Sequence, residues 1–285
     1  QGFEYPAPLA HFEFAAQGQT LRMAYLDYQP EQPNGHSVVL MHGKNFCAAT
    51  WHETAQFLQQ AGFRVIVPDQ IGFCKSAKPQ HYDYSFSALA NNTHALLASL
   101  KIDKATLIGH SMGGMVSLVH AATHPGRVGA LVVIDSVMLM PMERVTRMRA
   151  FGEKPSKGYE TREELIARYR LEGGEKQIAA PEVLERMATF SSRRNADGRW
   201  HHKADRGVYA NFQRIDGMPL WDKIKIPALV VRGGEHSPRF TPEVMTGIHA
   251  RAPQTQVAEV RASDHHVTLD NPLEFIDVMQ RFLRT

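Results

Sequence analysis

The chain has 285 residues, 43% of them hydrophobic and 21% charged, with 32 Lys plus Arg against 29 Asp plus Glu. That balance is globular and excludes a disordered, collagen-like or coiled-coil chain. A net charge of +3 is too small for a dedicated nucleic-acid binder, and no apolar run approaches the roughly 18 residues of a membrane helix.

Residues 11–28 alternate apolar and polar side chains around Gln17-Gly18-Gln19, the pattern of a β-hairpin. Strands and helical patterns then alternate. Strands are predicted at 37–41, 63–67, 105–108 and 130–134. Helices are predicted at 51–61, 85–100 and 112–123. After residue 137 the rhythm stops. It resumes with a strand at 227–231, a helix at 242–250, a strand at 255–260 and a helix at 272–283. Continuous apolar strands separated by helices indicate a mostly parallel, doubly wound sheet covered on both faces. The α/β core is therefore expected at 1–137 and 223–285.

The interval 138–222 has a different character. It carries 16 Lys/Arg against 13 Asp/Glu, which is the whole positive excess of the chain. A structureless loop of that length is foreign to a compact domain. A helical cap is expected instead, with helices at 161–171 and 181–190. Its excess charge fits a solvated basic face or the attraction of anionic substrates to a lid. Met138, Met140, Met142 and Met148 cluster at its entrance, as core packing or as an adaptable wall for a substrate chain.

The most specific motif is Gly109-His110-Ser111-Met112-Gly113, followed by Gly114, between an apolar strand and an apolar helix. A nucleophile on such a turn needs strained backbone angles, and small residues two before and two after it leave room. Serine is a weak nucleophile at neutral pH and needs a base. Of the 15 histidines, His265 and His266 follow the last strand at the sheet edge where ligands bind in open α/β folds. A carboxylate must orient the imidazole. Asp135 ends an apolar strand, which is costly unless it is paired; Glu235, in the loop after 227–231, is the alternative, and Asp264 a third. The developing oxyanion needs preorganised N–H donors. Met112 N–H supplies one, and Lys44 N–H, in the turn His42-Gly43-Lys44-Asn45-Phe46, is assigned as the second.

Other chemistries lack their motifs. His52-Glu53 is followed by Gln56 where a zinc-protease helix has histidine, no phosphate loop is present, and Gly233-Gly234 is too little for a dinucleotide site. His201-His202 reads as a solvated pair rather than a metal site. No cofactor or metal is expected.

These residues together resemble the α/β-hydrolase superfamily over essentially the whole chain. Ser111, Asp135 and His265 follow its order of nucleophile, acid and histidine. His42-Gly43 is similar to its oxyanion loop, and the run Pro68-Asp69-Gln70-Ile71-Gly72-Phe73-Cys74-Lys75-Ser76 to its D-x-x-G-x-G-x-S loop. His265 stands seven residues before Pro272, like the family's histidine, which selects it over His266. Two positions depart from the pattern. Ser237 stands at the usual acid position, and some members of the family, certain dehalogenases and lipases, place the acid after the preceding strand, as Asp135 would be; Asp264 replaces the glycine before the histidine. The resemblance also implies that the loops carrying Cys47 and Cys74 lie side by side, where a Cys47–Cys74 disulfide would pin the oxyanion loop; two free buried thiols are the alternative. The chain begins at Gln1, which with such a bond gives a periplasmic or secreted destination, a cytoplasmic one being the alternative.

The resemblance implies a serine hydrolase of a small-molecule carboxylic ester or lactone, working without cofactor. A C–C bond, amide or homoserine-lactone hydrolase with the same triad, a cofactor-free haloperoxidase-like side activity, or a small-molecule receptor on the same scaffold are the rival readings.

Overall fold

The computed structural model describes residues 4–172, 181–234 and 238–284. The N-terminal hairpin forms, as β1 (Leu9–Ala16) and β2 (Gln19–Tyr28), turning on Gln17-Gly18 with both residues at positive φ. The alternating core follows: β3 (Ser37–Met41), α1 (His52–Gln60), β4 (Arg64–Pro68), α2 (Phe86–Ser99), β5 (Ala105–His110), α3 (Met112–Thr123) and β6 (Val128–Ile134). An insertion then contributes α4 (Met142–Glu153), α5 (Arg162–Glu172), α6 (Pro181–Ser191), β7 (Ser192–Arg194), β8 (Trp200–His202) and α7 (Gly207–Ala210). The core resumes with β9 (Ala228–Gly233), α8 (Pro242–Arg251), β10 (Gln256–Val260), α9 (Val267–Asp270) and α10 (Pro272–Leu283).

Eight strands form one sheet in the order β1-β2-β4-β3-β5-β6-β9-β10. The pairings of β2 with β1 and β4 are antiparallel, and all others are parallel. Alternate side chains of a strand face opposite sides. Val39 and Met41 join a core made with α2, α3 and α8, while Val38 and Leu40 join a second core made with α1 and α10. Burial on both faces explains why these strands read as unbroken apolar runs.

The sequence stops two strands too early. β5 continues through Gly109 and His110, which pair with Met41 and Ile134, so Ser111 alone makes the turn into α3. β9 continues through Arg232 and Gly233. Its polar extension is carried by an ion pair in which Arg232 Nη2 lies 2.6 Å from Glu259 Oε2 on β10.

Within the insertion, helices are found at the two expected places, and α4 and the β7–β8 pair are additions. α4 is densely charged and buries chiefly Val145 and Gly152, so it carries little apolar periodicity. A Cβ at Gly152 would lie 2.1 Å from the Ala210 backbone nitrogen, so glycine sets the close crossing of α4 and α7. A small third core joins Leu165, Ile166, Leu184, Met187 and Ala188 to Phe46. The methionine cluster divides. Met138 is buried, with its sulfur 3.3 Å from Trp221 Nε1, Met140 and Met148 line a cavity, and Met142 is exposed. His201 is not solvated: it is buried between Ser156 Oγ at 2.9 Å and Asp197 Oδ2 at 2.8 Å. Among the described residues no helix is long and apolar enough to cross a membrane.

Candidate active site

Ser111 sits at φ 54°, ψ −114°, a strained conformation for a residue with a side chain. Neighbouring strands hold it there. Its N–H donates to Ile134 O at 2.8 Å, and its carbonyl accepts from Ser136 Oγ at 2.7 Å and from Gly114 N–H at 3.1 Å. A Cβ on Gly113 would lie 2.2 Å from Met41 O, and one on Gly109 would lie 2.2 Å from Gly113 O. Glycine at both positions lets α3 start hard against β3 and β5, with its N-terminal N–H groups beneath the serine.

Asp135 follows β6 directly. It adopts φ 42°, and its N–H donates to Val231 O at 2.9 Å, which turns the side chain out of the ladder. The carboxylate is fully buried, and its Oδ2 lies 2.7 Å from His265 Nδ1 and 2.9 Å from Arg239 Nη1. Asp135 and His265 are thus brought together. Glu235, the alternative acid, and Ser237, at the family's usual acid position, lie outside the described residues.

His265 lies in the turn after β10. Its carbonyl is 2.7 Å from His110 Nε2, so the residue before the serine props the histidine loop. Asp264, in place of the family's glycine, donates its N–H to Asp270 Oδ2 at 2.9 Å. His266 takes another course. It is buried, its ring packs edge-on against Phe46 at 5.2 Å, and among the described residues no carboxylate pairs with it.

Burial, and then the Arg239, Arg144 and Lys44 cations, hold the His265 imidazole well below the usual histidine range. The ring is therefore neutral at pH 7, the state a general base requires. His110 is pushed down to about 3, first by burial and then by His265.

The loop after β3 is tied down by polar groups. Gln70 N–H donates to His42 Nε2 at 3.0 Å, which leaves Nδ1–H to donate to Gly43 O at 2.8 Å. Buried Asp69 accepts from Ala48 N–H at 2.7 Å, Lys75 N–H at 2.9 Å and the Tyr5 hydroxyl at 2.5 Å. Cys47 and Cys74 are joined across the same two loops, with Cα atoms 5.9 Å apart, a separation typical of disulfides.

Ser111, Met112, Lys44, His265 and His266 line one cavity of about 410 Å³. The insertion closes it with Met140, Arg144, Met148, Val208 and Phe212, and Phe86 and Met115 complete an apolar wall. Arg239 and Arg144 were invisible as site residues in the sequence. Arg239 lies beyond the motif-bearing loop, and Arg144 is one of several arginines on a charged helix, so no local pattern marks either.

The sheet order and the single-residue serine turn between β5 and α3 define an enzyme fold of the hydrolase class. The model of the family described as alpha/beta hydrolase fold matches residues 36–272, and the chain belongs to that family. A solved structure of a probable hydrolytic enzyme from Pseudomonas aeruginosa PAO1 is 31% identical, with a TM-score of 0.79 over 100% of this chain and 97% of that one. The sn-1-specific diacylglycerol lipase of Mus musculus is 28% identical over 259 residues, 87% of this chain and 80% of that protein. An uncharacterized protein of Mycobacterium tuberculosis is 37% identical over 103 residues, 36% of this chain and 30% of that protein, so the match spans less than a third of the relative's length.

Proposed function

We propose that the protein is a serine hydrolase of carboxylic esters or lactones. The observation that carries this reading is Ser111, on a strained turn, sharing a cavity with a His265 that is hydrogen-bonded to buried Asp135. In this mechanism His265 Nε2 takes the proton of Ser111 Oγ as the oxygen attacks the ester carbonyl. The tetrahedral oxyanion receives the N–H groups of Met112 and Lys44. Asp135 fixes the tautomer with the proton on Nδ1 and stabilises the imidazolium. His265 then protonates the departing alkoxide, and water releases the acyl group from Ser111 by the same route. The mouse relative, named as a diacylglycerol lipase, supports ester cleavage. The Cys47–Cys74 link fits an oxidising compartment, periplasmic or secreted.

The cavity narrows the substrate further. Its charged lining is Lys44, Arg144 and Arg239, with no Asp or Glu among the described lining residues. Arg239 is engaged by Asp135, whereas Arg144 has no anionic partner among the described residues. Together with the methionine and phenylalanine wall, this favours an ester that has an apolar body and an anionic group within reach of Arg144.

Intact mass after incubation with a fluorophosphonate tests the serine. One adduct on the wild type and none on Ser111→Ala is the expected result, and an unlabelled, folded wild type would overturn the reading. Esters matched in acyl length, one anionic and one neutral, test the charge. Arg144→Gln should lower the anionic-to-neutral ratio of kcat/KM about ten-fold, the scale of one charged hydrogen bond.

A further inference from the structure

Three histidines meet far from Ser111, on the side of α3 that faces α2. His94 lies on α2, His120 lies in the last turn of α3, and His124 follows immediately after α3. His120 is nine residues along α3 from the serine, about 14 Å at the helical rise. One ring nitrogen from each histidine lies within 4.8 Å of the other two. The His94 and His124 rings stack with centroids 4.0 Å apart, and His120 meets both edge-on, at 5.7 and 5.1 Å.

His120 carries the argument. Its side chain is fully buried, yet among the described residues neither Nδ1 nor Nε2 has a hydrogen-bond partner. A buried polar group without a partner is costly, and native structures rarely tolerate one without a reason. His124 ends α3 one turn beyond His120, its N–H donating to His120 O at 2.8 Å, and α2 supplies the third imidazole across the groove.

We propose that His94, His120 and His124 bind a divalent transition-metal ion of the Zn2+ type. Imidazole nitrogens suit zinc, copper and nickel, and exclude the oxygen-seeking magnesium and calcium ions. A tetrahedral zinc with nitrogens about 2.0–2.1 Å away needs the nitrogens within about 3.4 Å of one another, so they must close by little more than 1 Å, and the stacked His94 and His124 rings must tilt apart so that their in-plane lone pairs meet at the ion. His94 and His124 are half-buried, which leaves a route for the ion and room for a water or anion as fourth ligand. His124 Nε2 lies 3.2 Å from Asn91 Oδ1. Such an outer contact holds the proton on Nε2 and leaves Nδ1 with a free lone pair. The site uses no residue of the Ser111 cavity. Its consequence is a clamp between α2 and the end of α3.

Equilibrium dialysis of chelator-treated full chain against Zn2+ should give one ion per chain and a raised Tm. Co2+ in its place should give the visible absorption of a four-coordinate site. His94→Gln and His124→Gln alter half-buried positions and leave the core packing intact. Each should weaken Zn2+ binding at least ten-fold. Two results overturn the proposal: no stoichiometric uptake by the wild type, or uptake with unchanged affinity in both variants, which would put the ion elsewhere.

Discussion

A single carboxylate oxygen, Asp135 Oδ2, is shared between His265 Nδ1 at 2.7 Å and Arg239 Nη1 at 2.9 Å. All three side chains are nearly excluded from solvent. The guanidinium screens the charge that would otherwise favour the imidazolium, so the histidine has both a fixed tautomer and a suppressed pKa. An unpaired buried carboxylate would be untenable; here His265 and Arg239 are among the groups that hold it.

Asp135→Asn removes the charge and the tautomer control while keeping the shape. Ester turnover should fall by about 10³–10⁴-fold with the far-UV spectrum unchanged. His265→Ala should abolish turnover, and His266→Ala should leave most of it, because His266 packs on Phe46 and pairs with no carboxylate among the described residues. Steady-state kinetics of the three variants decides this; a comparable loss in Glu235→Gln with Asp135→Asn active would assign the acid to the other loop.

Burial first, and Arg239 after it, place the acid limb of the pH profile. With the cations in place His265 stays neutral below the usual histidine range, so kcat/KM should hold its plateau below about pH 6.5. Arg239→Gln removes one opposing charge, which makes the imidazole easier to protonate. The limb should move up by about one pH unit. An unmoved limb in the variant would show that burial alone lowers the pKa.

The buried neutral histidines make stability acid-sensitive. His110 is pushed from 6.5 to about 3 by burial, and His42, His265 and His266 shift in the same direction. Above pH 6.5 both folded and unfolded chains hold these rings neutral and the effect vanishes. Between that pH and the folded pKa the unfolded chain binds more protons, so stability falls as pH falls. Each ring that stays neutral should cost about 1.4 kcal/mol at pH 5.5. Urea unfolding at pH 7.0 and 5.5 measures the sum, and equal midpoints would refute it.

The Cys47–Cys74 link closes a sequence separation of 27 residues between the loop after β3 and the loop after β4. Loop entropy gives such a bond about 3–4 kcal/mol of stabilisation. A non-reduced digest should contain the linked peptide, and reduction should lower the Tm. Two alkylated cysteines in protein prepared under oxidising conditions would sink the assignment.

The sequence alone determined the alternating core, because strands buried on both faces must be continuously apolar and the helices between them carry apolar residues at helical spacing. It marked Ser111 as the strand-to-helix turn as well, since the close packing there demands the glycines around it and this demand is local, although the one-residue length of the turn emerged only with β5 extended to His110. Asp135 was legible as a polar residue ending an apolar strand. Only the tertiary structure decided what that carboxylate touches. Arg239 reaches Asp135 across 104 residues and His265 reaches it across 130, and no periodicity records a meeting between side chains from different strands. The same holds for α4, whose few buried positions leave no apolar stripe, and for His94, His120 and His124, whose grouping depends on how α2 lies against α3. Backbone patterns are written in neighbouring residues; the chemistry of a site depends on distances that only packing sets.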